Sequence, residues 1–140
     1  MHGYRFSAAL RIWHPSADPD EIERRLALKA THKTRAGVGR STPQGDPLEG
    51  EYSTTYCCFD LECNESEGLT SVLQRTNEHL RAHGKFLIEL SDSGGRLEYF
   101  VGLFFERNAG ENLNWSLLAD MAALRLSLDI DFYPPKNSGK

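Results

Sequence analysis

Residues 96–106 read RLEYFVGLFFE, the stretch that most restricts how this chain can fold. Strand alternation places Leu97, Tyr99, Val101, Leu103 and Phe105 on one side and Phe100 and Phe104 on the other. Apolar residues on both sides are expected of a central strand. The stretch therefore belongs in the interior of a sheet, and the sequence must supply neighbouring strands.

Three further segments carry the same period. In YRFSAALRIW, Tyr4, Phe6, Ala8, Leu10 and Ile12 alternate with Arg5, Ser7, Ala9, Arg11 and Trp13. EYSTTYCCFDLEC is rich in β-branched and aromatic residues, with Cys57, Phe59 and Leu61 read as inward and Tyr56, Cys58 and Asp60 as outward. In LSLDIDFY, Leu126, Leu128, Ile130 and Phe132 alternate with Ser127, Asp129, Asp131 and Tyr133. KFLIEL, a turn at SDSGG and RLEYFVGLFFE together read as an antiparallel hairpin.

Helical signals separate these strands. Asp18 is placed to cap a helix with Pro19 at its first position and Glu21 completing a capping box, and Ile22 and Leu26 then face the core one turn apart. A second helix is opened by Asn64 with Glu67, carries the stripe Leu69, Val72, Leu73, Thr76 and Leu80, and takes Gly84 as a left-handed stop. A third, NWSLLADMAALR, is opened by Asn114 or Ser116 and is expected to bury Leu118, Met121 and Ala122.

The order β-α-β-α-β-β-α-β predicts an α+β fold: a single-domain two-layer sandwich over residues 1–134, with a mainly antiparallel sheet and helices on one face. Residues 135–140, PKNSGK, read as a disordered tail. From Lys29 to Gly50 there is no apolar period, and Gly37, Gly39, Pro43, Gly45, Pro47 and Gly50 punctuate a long loop with room for a small hairpin. Loops beyond about 15 residues in a compact domain are more often functional than idle.

A chain of 140 residues with 39% hydrophobic and 26% charged content can bury one core unaided. Cys57, Cys58 and Cys63 are odd in number, include an adjacent pair and lack C-x-x-C spacing, so they read as small buried hydrophobes. No apolar run nears the roughly 18 residues of a membrane span, and no secretory leader opens the sequence, so the cytoplasm is the expected location.

Two stretches, LRIWHPSADPDEI near the start and LLADMAALRLSLDIDFY near the end, resemble a bacterial family known as domain of unknown function 4279. Its members are similar in length and share a DP-x-x-I helix start and a closing L-D-I-D-x-Y strand. The resemblance covers most of the chain and implies a small α+β protein with no established catalytic residues. Some small bacterial families of this kind serve as immunity proteins against toxins, an analogy at the level of size and class alone.

Several stretches carry the chemistry of a possible site. RAGVGRSTPQG, residues 35–45, has the glycines of a phosphate loop but the wrong spacing: Thr34 stands where a P-loop needs glycine, Arg40 replaces its lysine, and Pro43 blocks the helix start that would hold an anion. What remains is basicity, because Lys29, Lys33, Arg35 and Arg40 lie in a span free of acidic residues until Asp46. His79 and His83 have the i, i+4 spacing of a metal clamp without a third ligand or an adjacent catalytic glutamate. Asp129 and Asp131 share one side of the last strand roughly 7 Å apart, as paired carboxylates or as the polar side of a half-buried strand. Trp13 is a candidate anchor in a contact surface.

Charge is unevenly spread: residues 1–50 carry eight basic and six acidic groups, and residues 51–140 carry eight and fourteen, for a formal net charge of −4. That balance disfavours nucleic acid as a partner. The sequence points to a non-enzymatic protein-binding module, with Lys33, Arg35, Arg40, Trp13, Asp129 and Asp131 as contact residues and a basic toxin or effector as partner. It assigns no catalytic residue, metal or cofactor and no membrane contact. The alternative is a small-ligand or metal-binding enzyme using the acidic side of the last strand.

Overall fold

Ten residues of period-two sequence, Arg5–His14, form β1, the central strand of a five-stranded sheet. The computed structural model describes residues 3–64 and 66–136. The chain continues through α1 (Pro19–Leu26), β2 (His32–Thr34), β3 (Gly39–Ser41), β4 (Pro47–Glu51), β5 (Thr55–Asp60), α2 (Leu69–Arg81), α3 (Gly84–Asp92), β6 (Arg96–Phe104), α4 (Trp115–Ala123) and β7 (Leu126–Tyr133). The main sheet has the order β2-β5-β1-β6-β7, and β3 pairs with β4 as a separate two-stranded hairpin. Neighbours are antiparallel except β6 and β7, which run parallel because α4 carries the chain back to the same end.

Alternation in the sheet decides where the core lies. Leu10, Ile12, Cys57, Phe59, Leu97, Tyr99 and Val101 all point to one side, where they pack with Ile22 and Leu26 of α1, Leu73 and Leu80 of α2, Leu87 of α3 and Met121 of α4. This is the expected two-layer α+β sandwich. Leu10, Ile12, Leu26, Leu73, Leu80 and Leu87 have no solvent exposure, and each such side chain contributes about 1.5–3 kcal/mol. RLEYFVGLFFE supplies β6, an interior strand, with Leu97, Tyr99 and Val101 in the core and Phe100 and Phe104 half-buried on the other side.

The helix starts follow from capping chemistry. Asp18 caps α1 with its carboxylate accepting from Asp20 N at 2.9 Å, while Glu21 lies 3.7 Å from Arg24 of the same helix. Asn114 caps α4, its Oδ1 accepting from Leu117 N at 2.9 Å. Asn64 and Glu67 meet as expected, with Asn64 N donating to Glu67 Oε1 at 3.3 Å, but this turn precedes the helix, whose N-cap is Gly68.

Several expectations need correction. KFLIEL is not a strand: it lies within α3, where Phe86, Leu87 and Leu90 are buried at helical spacing. β6 accordingly takes its antiparallel partner from β1. Gly84 does not stop α2 in a left-handed conformation; it opens α3, and a Cβ there would lie 3.4 Å from Leu124 Cδ2. The reversal from α3 into β6 depends on Gly94, at φ +105°, and on Gly95, where a Cβ would meet Leu90 O at 2.5 Å.

In α4 the buried residues are Leu117 and Met121, whereas Leu118 is 44% exposed and Ala122 is on the surface. The inward stripe continues one turn later at Leu124, which shifts the buried side by one residue from the expected one. The 29–50 region is not wholly a loop: His32–Thr34 adds an edge strand to the main sheet and the hairpin follows. RAGVGRSTPQG forms its first arm and turn, with Gly45 at φ +94° and its N–H donating to Thr42 O at 2.9 Å. Of the expected tail, Pro135 and Lys136 carry no regular structure and 137–140 lie outside the described residues.

Candidate partner-binding face

With the helices on one side of the sheet, the other side is left uncovered. Register sets its side chains in rows across the strands. One runs His32, Cys58, Arg11, Glu98, Ser127, and the next runs Thr34, Tyr56, Trp13, Arg96. Beyond Arg11, Ala9 is followed by Phe100 and Asp129, and the small residues Ser7 and Gly102 lead to Asp131.

Arg11 organises the face. Its guanidinium carbon sits 4.1 Å from the Phe100 ring centroid and 5.0 Å from that of Trp13. Its Nε donates to Glu98 Oε2 at 2.9 Å, a second N–H donates to the same oxygen, and Asp129 Oδ2 lies 3.7 Å away. Burial works against the Arg11 charge, but the hydrogen bonds and field of Glu98 outweigh it and raise its pKa. Glu98 is only 6% exposed, so removing Arg11 would strand a buried carboxylate at a cost of about 3–5 kcal/mol.

Trp13 is held from several directions: the Arg96 guanidinium carbon lies 4.0 Å from its ring centroid, and the Tyr56 ring packs 5.1 Å away. The Tyr56 hydroxyl, pushed up to about 12 by burial and by the neighbouring Cys58, stays neutral. Next to Arg11, Tyr56, Cys58, Asp60 and Phe100 border a depression of about 520 Å³. Burial pushes the Cys57 thiol, on the core side, up to about 12, and all three cysteines are free.

Toward β7 the face becomes acidic. Asp129 is 63% exposed along its side chain, and Asp131 accepts from the Tyr133 hydroxyl at 3.2 Å. Tyr133 stacks on Phe104 with centroids 4.7 Å apart and 9° between planes. A Cβ at Gly102 would press on Ser7 Oγ at 3.1 Å and touch the Tyr133 ring at 3.4 Å.

Of the residues singled out in the sequence, Trp13, Asp129 and Asp131 share this face, and the three cations do not. Lys33 points to the helix side, as its register partner Cys57 does, with Nζ 2.6 Å from Asp20 and 2.7 Å from Glu23. Those contacts lower both carboxylate pKa values and raise that of Lys33. Arg35 pairs with Asp18 at 2.9 Å and Asp20 at 3.2 Å, and Arg40 donates to Glu49 O at 3.2 Å within the hairpin. The acidic first turn of α1 thus neutralises much of the 29–40 basicity.

His79 donates through Nε2 to Leu26 O at 2.8 Å, with the His83 ring 5.6 Å away. Among the described residues no group of three or more His, Cys, Asp or Glu side chains comes together to hold a metal. Sequence reasoning passed over Arg11, Tyr56, Arg96 and Phe100 as site residues. Their signal was present: the outward positions of β1, β5 and β6 carry arginine and aromatics where a solvent-facing sheet usually shows small polar residues.

A protein-family model described as Domain of unknown function (DUF4279) matches residues 3–135. No curated protein and no solved structure matches the chain. No helix among the described residues is long and apolar enough to cross a membrane.

Proposed function

Because the chain belongs to the DUF4279 family, whose description assigns no activity, we propose its function from its surface: a protein-binding module of the bacterial cytoplasm that docks a basic protein on the uncovered sheet face. The observation that carries this reading is Trp13, braced by Arg11, Arg96 and Tyr56 on an otherwise bare sheet. Tryptophan, tyrosine and arginine dominate binding hot spots, and a side chain already immobilised before contact loses little entropy on docking. Asp129 and Asp131 at one end of the face, on a chain of formal charge −4, favour a partner of positive charge.

A nuclease toxin is such a partner, and neutralising it would make this an immunity-type protein that binds and performs no catalysis. The acidic pair suits contact better than metal chemistry, since Asp129 faces Arg11 and Asp131 faces the Tyr133 hydroxyl.

The test is co-expression with the toxin encoded beside the gene, together with titration calorimetry of the two purified proteins. Growth is protected by the wild type. Trp13→Ala weakens binding by about 30-fold or more, as loss of a hot spot of about 2 kcal/mol requires. Asp129→Asn with Asp131→Asn reduces its salt dependence. Failure to protect, or binding indifferent to both changes, would overturn the reading.

A further inference from the structure

On the helix side of the sheet, the end beyond the start of α2 has no helix over it. There the segment joining β6 to α4 wraps across Tyr4, Leu103, Ile130 and Phe132 and encloses a cavity of about 410 Å³. That volume lies within the roughly 300–1,000 Å³ of small-molecule sites. Its walls are Leu69, Leu103, Phe105, Leu113, Ile130 and Phe132. Phe132 is 64% exposed and gives the rim an apolar side chain.

The polar side chains that line it are Tyr4, Glu111 and Asn108, and the first two are hydrogen-bonded to each other. The Tyr4 hydroxyl donates to Glu111 Oε2 at 2.5 Å, and the other carboxylate oxygen accepts from Asn112 N at 2.9 Å. Glu111 is the one charged side chain among the described lining residues. Burial, with the hydrogen bond to Glu111, raises the Tyr4 pKa and keeps the phenol a donor. Each carboxylate oxygen keeps a lone pair for a further donor.

We propose that this cavity binds a small amphiphilic amine, with its hydrocarbon part against Leu69, Leu103 and Ile130 and its ammonium group on the Tyr4–Glu111 pair. An anionic head would meet the like charge of Glu111, and a neutral alcohol would forgo the ion pair. The site is independent of the partner-binding face: Ile130 and Phe132 project from the opposite side of β7 to Asp129, Asp131 and Tyr133.

The experiment uses the full chain and three probes of equal chain length, heptylamine, heptanol and heptanoate, followed by calorimetry and amide chemical shifts. Heptylamine binds saturably and at least tenfold more tightly than heptanoate, shifting amides of residues 103–113. Glu111→Gln removes the preference for the amine. Leu113→Trp, which fills the cavity from the wrapping segment, removes binding of all three. Ala109→Trp serves in its place if circular dichroism shows that Leu113→Trp is unfolded. No saturable binding of the amine, heptanoate binding as tightly, or amine binding unchanged by the filling variant would each overturn the proposal.

Discussion

His14 closes β1 with its imidazole 6% exposed and its hydrogen-bond roles fixed by its neighbours. Nδ1 accepts from Ser16 N at 3.0 Å and Ala17 N at 2.9 Å, so the proton sits on Nε2, which donates to Ser93 Oγ at 2.8 Å. Ser93 in turn donates to Glu89 O at 2.7 Å. A proton on Nδ1 would face two N–H donors, and burial holds the His14 pKa below its ordinary 6.5. The unfolded chain therefore takes up this proton at a higher pH than the folded one. Stability from His14 is level above pH 6.5 and falls below it toward the folded pKa, by at most about 1.4 kcal/mol per pH unit. His14→Asn keeps an acceptor and cannot titrate, so urea denaturation between pH 7.5 and 5.5 shows a shallower loss for the variant. Equal slopes would refute this role.

Among the elements, α3 is the one whose state depends most on packing. Phe86, Leu87 and Leu90 are buried while Ile88 is half-buried. Leu87→Ala then costs about 2–5 kcal/mol, the range for truncating a fully buried leucine, and Ile88→Ala costs clearly less. Denaturant midpoints decide it, and the reverse ranking would restore the strand. Short apolar runs cannot be assigned by periodicity, and KFLIEL is one: its helical state is chosen by what α3 packs against. β2 was hidden for the opposite reason, since HKT has no apolar pattern and is a strand only because β5 pairs with it. β1, β5, β6, β7 and α1 were legible because each combines an uninterrupted period or cap with one buried side. The same limit applied to the face. Trp13, Asp129 and Asp131 could be read as outward from alternation alone, whereas Arg11 and Glu98 lie 87 positions apart and meet only through the β1–β6 register.

For the whole molecule, one question is what keeps the sheet from growing. At one edge β2 is only three residues long, and its Lys33 is drawn into ion pairs with α1. At the other, β7 runs for eight residues with no strand beyond it among the described residues. Long exposed edges invite pairing between copies, and charge on the edge is a common defence. Asp129→Val with Asp131→Val therefore produces concentration-dependent self-association, measured by light scattering, at concentrations where the wild type stays dispersed. A double variant that remains dispersed would place the defence elsewhere. Two copies meeting edge to edge at β7 would bring four carboxylates into one ladder, whereas a foreign strand bearing lysine or arginine would relieve the repulsion. On the proposed partner-binding reading, the last strand would then act as a valve, closed to its own kind and passable to a positively charged stranger.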